Sequence, residues 1–85
     1  MYNLEQTFKN IGLSIYILRV NNNMSARKLG KIIGKAECSV TSWERLESRP
    51  SFESMLKICN VFGCGIEDLM QPERCQTIFL PKVTA

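Results

Sequence analysis

Residues 24–46 read MSARKLGKIIGKAECSVTSWERL, and this stretch decides the fold. Ser25 suits a helix N-terminus, because its hydroxyl can accept a hydrogen bond from a backbone N–H two or three residues further on. Leu29, Ile32 and Ile33 then fall on one face of a helix, and Gly34 suits a tight turn after it. The next helix runs from about Glu37 to Leu46 and buries Val40 and Trp43, three residues apart.

The flanking segments continue the helical spacing. On the N-terminal side, Leu4, Phe8, Ile11, Ile15 and Leu18 are separated by four, three, four and three residues, which is one face of a helix. Asn21-Asn22-Asn23 ends that helix, since Asn tolerates the left-handed conformation common at helix ends. On the C-terminal side, Arg49-Pro50-Ser51 is a break in which Ser51 can cap a fourth helix carrying Met55, Leu56, Cys59 and Phe62. Gly63 closes it. A short fifth helix holds Ile66, Leu69 and Met70, and Pro72 is expected to stop it. Before residue 76 no segment alternates as a strand should. Thr77-Ile78-Phe79-Leu80 is compatible with an extended strand.

The expected architecture is therefore all-α: a compact five-helix domain over residues 1–70, followed by a short C-terminal extension, 71–85, that is a candidate dimerisation segment. Eighty-five residues make one domain. A chain of this size buries only roughly 60% of the surface it exposes when unfolded, so its core is small.

Composition excludes several classes. No apolar run reaches the roughly 20 residues of a membrane span. The N-terminus lacks the basic-then-apolar pattern of a signal peptide, so a cytoplasmic protein is expected, with no membrane partner. Cys38, Cys59, Cys64 and Cys75 form no CxxC pair and read as reduced thiols. There is no His, and the Cys spacing fits no zinc site, so neither metal nor cofactor is expected. No residues pair a general base with a nucleophile, and an enzyme is not expected.

Charge is unevenly distributed. From Arg19 to Arg49 there are seven basic residues against three acidic ones, whereas the rest of the chain has four against five. Cations concentrated in the middle third suit a partner carrying phosphates, although a solvated helical face has the same look. Two short helices joined at Gly34 form a helix-turn-helix, the unit whose second helix enters the major groove of double-stranded DNA. Arg27 and Lys28 would sit in the first turn of the helix after Ser25, where cations oppose the helix dipole by roughly 0.3–1 kcal/mol each. A DNA phosphate docked there would reverse the sign. Ser25, Arg27, Lys28, Lys31 and Lys35 are thus candidate phosphate-binding residues. With Val40 and Trp43 turned inward, Glu37, Cys38, Ser39, Thr41 and Ser42 are candidate base-reading residues.

At this point the chain resembles the Cro/C1-type repressors, the Xre family of helix-turn-helix proteins. Gly12, Ile15, Leu18 and Arg19 look like the family's first helix; Met24-Ser25, Leu29, Gly30, Ile33 and Gly34 like its second helix and turn. Val40, Trp43 and Glu44 look like its third helix, and Pro50-Ser51, Leu56, Ile58, Phe62, Gly63, Ile66 and Leu69 like its fourth and fifth. The resemblance implies a lambda-repressor-like fold, DNA binding as a transcriptional regulator, and an ion pair between Arg19 and Glu44. The sequence departs from the family's habits at Ala26, often Gln; at Ala36, usually Ser or Thr; and at Leu46, commonly Gly.

Leu13, Ile17 and Val20 make a second apolar stripe on the first helix, beside Tyr16 and away from the core stripe. With Ile78, Phe79 and Leu80 they form a candidate homodimer surface. The alternative is a tail that folds over its own chain. The competing function is a protein-interaction module on the same scaffold, such as an antitoxin masking a toxin.

Overall fold

The computed structural model describes residues 3–80, which form α1 (Leu4–Asn21), α2 (Ala26–Ile33), α3 (Glu37–Glu44), α4 (Phe52–Phe62), α5 (Ile66–Leu69) and α6 (Pro72–Cys75). No strand occurs among the described residues, and no helix there is long and apolar enough to cross a membrane.

Local chemistry sets the helix ends. Asn3, Ser25 and Ser51 each accept, through the side chain, the amide of the residue three ahead: Gln6, Lys28 and Ser54. Gly34 and Gly63 sit in the left-handed conformation, at φ 75° and 67°, and end α2 and α4. Asn23 takes the same conformation after α1. Leu46 does so too, at φ 65°, and so ends the turn after α3 under strain that Gly would not feel. This is why α3 stops at Glu44, two residues short of the expected end.

Ile15, Leu18, Leu29, Val40, Ile58 and Leu69 meet at the centre, each with no exposed surface. Helix-to-helix distance is fixed at two glycines. A Cβ on Gly12 would stand 2.6 Å from the Trp43 carbonyl oxygen, and one on Gly30 2.6 Å from the Lys35 carbonyl oxygen. Both neighbours are backbone, so α1 approaches α3, and α2 approaches the turn before α3, only because these side chains are absent.

Several expectations need correction. Leu4 is 71% exposed, because the first turn of α1 lies beyond the end of the core its stripe joins. Ile32 and Leu56 are also exposed; Ile33 takes the inward position on α2, and Ile58 and Cys59, a few residues on, take it on α4. Pro72 does not merely stop α5. It opens the sixth helix, since proline needs no amide acceptor in a first turn.

Residues 71–80 close the core. Cys75 is fully buried, and its thiol donates to the Asp68 carbonyl at 3.1 Å. Ser14, buried in α1, donates to the Leu69 carbonyl at 2.7 Å. Asn22 fastens the tail: its amide group donates to the Ile78 carbonyl at 3.2 Å and its Oδ1 accepts from the Leu80 amide at 2.6 Å. Ile78 and Leu80 pack on the core while Phe79, between them, points out. The extended-strand expectation for Thr77–Leu80 is replaced by this clip on α1, and the second half of the candidate dimer set is divided by it.

Gly12→Ala and Gly30→Ala should each destabilise the domain by about 1–3 kcal/mol, since the new methyl meets backbone that cannot step aside. Urea denaturation would check this, with Ala substituted at the exposed helical position Lys31 as a control expected to change little.

Burial also raises the thiols of Cys59, Cys64 and Cys75, desolvation being the main cause in each; Cys64 is pushed from 9.0 to about 12. A folded pKa above the unfolded one favours the neutral form, so this contribution is complete well below pH 9 and is lost as pH rises from there through the folded pKa, about 12 for Cys64. Stability at pH 10 should lie below that at pH 8, with Cys64 contributing at most about 1.4 kcal/mol of the loss, less where solvent screens this half-buried thiol. The loss should shrink in Cys64→Ala.

Candidate nucleic-acid interface

α2 presents an acid-free cationic face. Arg27, Lys28, Lys31 and Lys35 are all exposed, and no Asp or Glu lies between residues 26 and 36. Arg27 and Lys31 are four residues apart and Lys28 and Lys31 three apart, spacings at which like charges repel along a helix. Neither of the first-turn cations offsets the helix dipole. Ser25 spends its lone pair on the Lys28 amide at 3.0 Å, which leaves its hydroxyl proton and the Ala26 and Arg27 amides directed away from the helix. Of the five candidate phosphate-binding residues, Ser25, Arg27 and Lys28 share one end of α2. Lys31 borders an open groove against α4, beside Ile32, Lys57 and Val61, and Lys35 lies past the turn at Gly34.

α3 turns Val40 and Trp43 into the core and leaves its other side open. Glu37 and Cys38 are exposed; Thr41 and Ser42 are half-buried. The Thr41 hydroxyl bonds back to the carbonyls of Cys38, at 3.1 Å, and Glu37, at 3.3 Å, so Thr41 offers its methyl and its lone pairs rather than a proton. Ser39 is half-buried on the flank next to Val40, further from the open side than the other four. Ala36 caps the helix without a side-chain bond. One residue on the open side was not singled out from the sequence: Arg45, exposed at the C-cap. Its spacing from Cys38 and Ser42, seven and three residues, is the signal that could have found it.

The two helices are held in place from behind. Arg19 donates from Nε to Glu44 Oε2 at 2.8 Å and from Nη2 to Oε1 at 2.9 Å, and its Nη1 donates to the Met24 carbonyl at 3.0 Å. The paired side chains retain 16% and 9% of their exposure. The Glu44 hydrogen bonds raise the Arg19 pKa despite desolvation. Tyr16 lies under the same guanidinium, 5.5 Å from ring centre to Cζ.

Of the candidate dimer residues, Leu13, Val20 and Phe79 are exposed, with Tyr16 beside them; Ile17, Ile78 and Leu80 are half-buried against their own core.

A helix whose N-terminus gathers cations, followed across a tight turn by a helix with a free outer face, defines a helix-turn-helix DNA-binding domain. Residues 15–69 match the family model described as helix-turn-helix, and the chain belongs to this family, the Cro/C1-type, Xre-like DNA-binding regulators. No curated protein and no solved structure matches the chain significantly.

Removing one partner of the Arg19–Glu44 pair strands the other charge in a partly desolvated site. Glu44→Ala should lower stability by about 2–4 kcal/mol, near or below the range for buried pairs. A loss of a few tenths in urea denaturation would instead mark a pair screened by solvent.

Proposed function

We propose that this protein is an operator-binding transcriptional repressor that acts as a homodimer, with α3 in the major groove and the N-terminus of α2 on the flanking backbone. The observation that carries this reading is the acid-free cationic face of α2. Its repulsions and its opposition to the dipole weaken the isolated helix, and a phosphate at that position turns each of them favourable. Arg27 and Lys28, with the Ser25 hydroxyl, grip the nearest phosphate; Lys31 and Lys35 extend the cationic track. Glu37, Cys38, Thr41 and Ser42 meet base edges, Glu37 as an acceptor for cytosine and the Thr41 methyl against thymine. Ser39, on the flank, contributes least.

The exposed apolar side chains of α1 support the dimer. Leu13, Tyr16 and Val20 are each close to half exposed and Phe79 is 63% exposed, a set unusual on the surface of a lone domain. Covering them with a second copy would yield about 1 kcal/mol each before association is offset. Ile78 and Leu80 take part only by holding Phe79 in place. Two recognition helices about 34 Å apart would then meet successive major grooves of a palindromic site.

Fluorescence anisotropy with the DNA upstream of the protein's own gene tests the DNA half of this reading. Log affinity should fall with log salt, and Lys28→Ala should weaken binding to all sequences and reduce the slope by about one. Ser42→Ala should lower discrimination and leave the slope unchanged. If Lys28→Ala alters sequence preference with no change of slope, the backbone and base roles are wrongly assigned. Sedimentation tests the dimer: Leu13→Asp with Val20→Asp should give a monomer with weakened operator binding. A wild-type chain that stays monomeric at tens of micromolar would leave the α1 face to another protein, as an antitoxin would use it.

A further inference from the structure

We propose that Arg45 reads a guanine in each half-site, through two hydrogen bonds from its guanidinium to the major-groove edge of the base. The inference rests on the DNA-binding reading of α3 given above and adds a specificity determinant to it.

The chain has five arginines, and the structure sorts them. Arg19 is bound by Glu44. Arg74 pairs with Asp68 at 3.3 Å. Arg49 stacks over Phe8, with Cζ 4.0 Å from the ring centre. Arg27 belongs to the first turn of α2, next to the expected phosphate. Arg45 is exposed and, among the described residues, forms no ion pair; the neighbouring carboxylate, Glu44, is occupied on both oxygens by Arg19.

Helical geometry aims it. Arg45 has φ −86° and ψ −1°, still in the helical region, so the register of α3 extends to it. Successive residues turn by about 100°. With Val40 and Trp43 facing the core, Cys38 and Arg45 are the two positions turned furthest from it, and Ser42 lies to one side of them on the open side.

Chemistry supplies the base. The other side chains there are short: Ser42 has a single hydroxyl, Thr41 has turned its proton back to the helix, Cys38 is a weak donor, and Glu37 when ionised only accepts. None donates two bonds side by side. A guanidinium does so in a fixed fork, and guanine presents two neighbouring acceptors, N7 and O6, in the major groove.

The test is selection of randomised duplex DNA by the full chain, comparing wild type with Arg45→Ala and Arg45→Lys. Wild type should favour guanine at one position per half-site by roughly 5- to 100-fold. Both variants should bring that preference below about 3-fold, leaving preferences elsewhere in the site and the melting temperature nearly unchanged. Lysine keeps the charge and loses the fork, which separates a base contact from a phosphate contact. The proposal is overturned if Arg45→Lys restores wild-type binding, if Arg45→Ala weakens all sequences equally, or if only the melting temperature moves. A wild-type chain with no preference among sequences would instead bring down the operator-binding reading, and this inference with it.

Discussion

The guanidinium of Arg19 joins three parts of the chain that must agree for two helices to present themselves together. It grows from the end of α1, binds both oxygens of Glu44 at the end of α3, and holds the Met24 carbonyl just before α2 begins. The two ends of the helix-turn-helix are thus tied to a single planar group with fixed donor directions. The ion pair acts on orientation: a rotation of α3 about its own axis would break both bonds at once. Both its charged ends are taken up within the fold, so the guanidinium serves as an anchor.

Close packing completes what the ion pair begins. At Gly12 and Gly30 a helix comes within a carbonyl's radius of its neighbour, and no larger residue fits without displacing backbone. Rigidity behind the helices matters to a surface made of short side chains. Cys38, Thr41 and Ser42 have little reach, so any base contact they make depends on where the backbone is held.

The helices were legible because their apolar residues recur at helical spacing and their ends carry Ser, Asn and Gly in positions those residues favour. Ile11, Ile15 and Leu18, or Val40 and Trp43, needed nothing more. What failed were cases in which periodicity runs past the material available to cover it. Leu4 continues the α1 stripe into solvent; Ile32 and Leu56 are apolar, but other residues of their own helices occupy the inward positions. The tail misled for another reason. Ile78-Phe79-Leu80 reads as one apolar unit, yet Phe79 points out while its neighbours pack on the core, and the hydrogen bonds that fix the tail are made with Asn22, more than fifty positions earlier. The phosphate candidates on α2 were visible as an uninterrupted cationic run. Arg45 was not, because the sequence gives no sign that Arg19, Arg49 and Arg74 are engaged elsewhere.

The four cysteines differ in a way that makes the protein its own reporter. Cys59 and Cys75 are buried, and the half-buried Cys64 is held in its protonated form with its pKa pushed up to about 12, so none presents a ready thiolate. Cys38 is exposed on α3, on the face proposed to meet DNA. A thiol-alkylating reagent applied to the unaltered chain therefore reacts first at Cys38, and a duplex bound across α3 as proposed would shield it. The rate at which that single thiol is capped becomes a footprint of occupancy, read by mass without a fluorophore, a tag or any engineered residue.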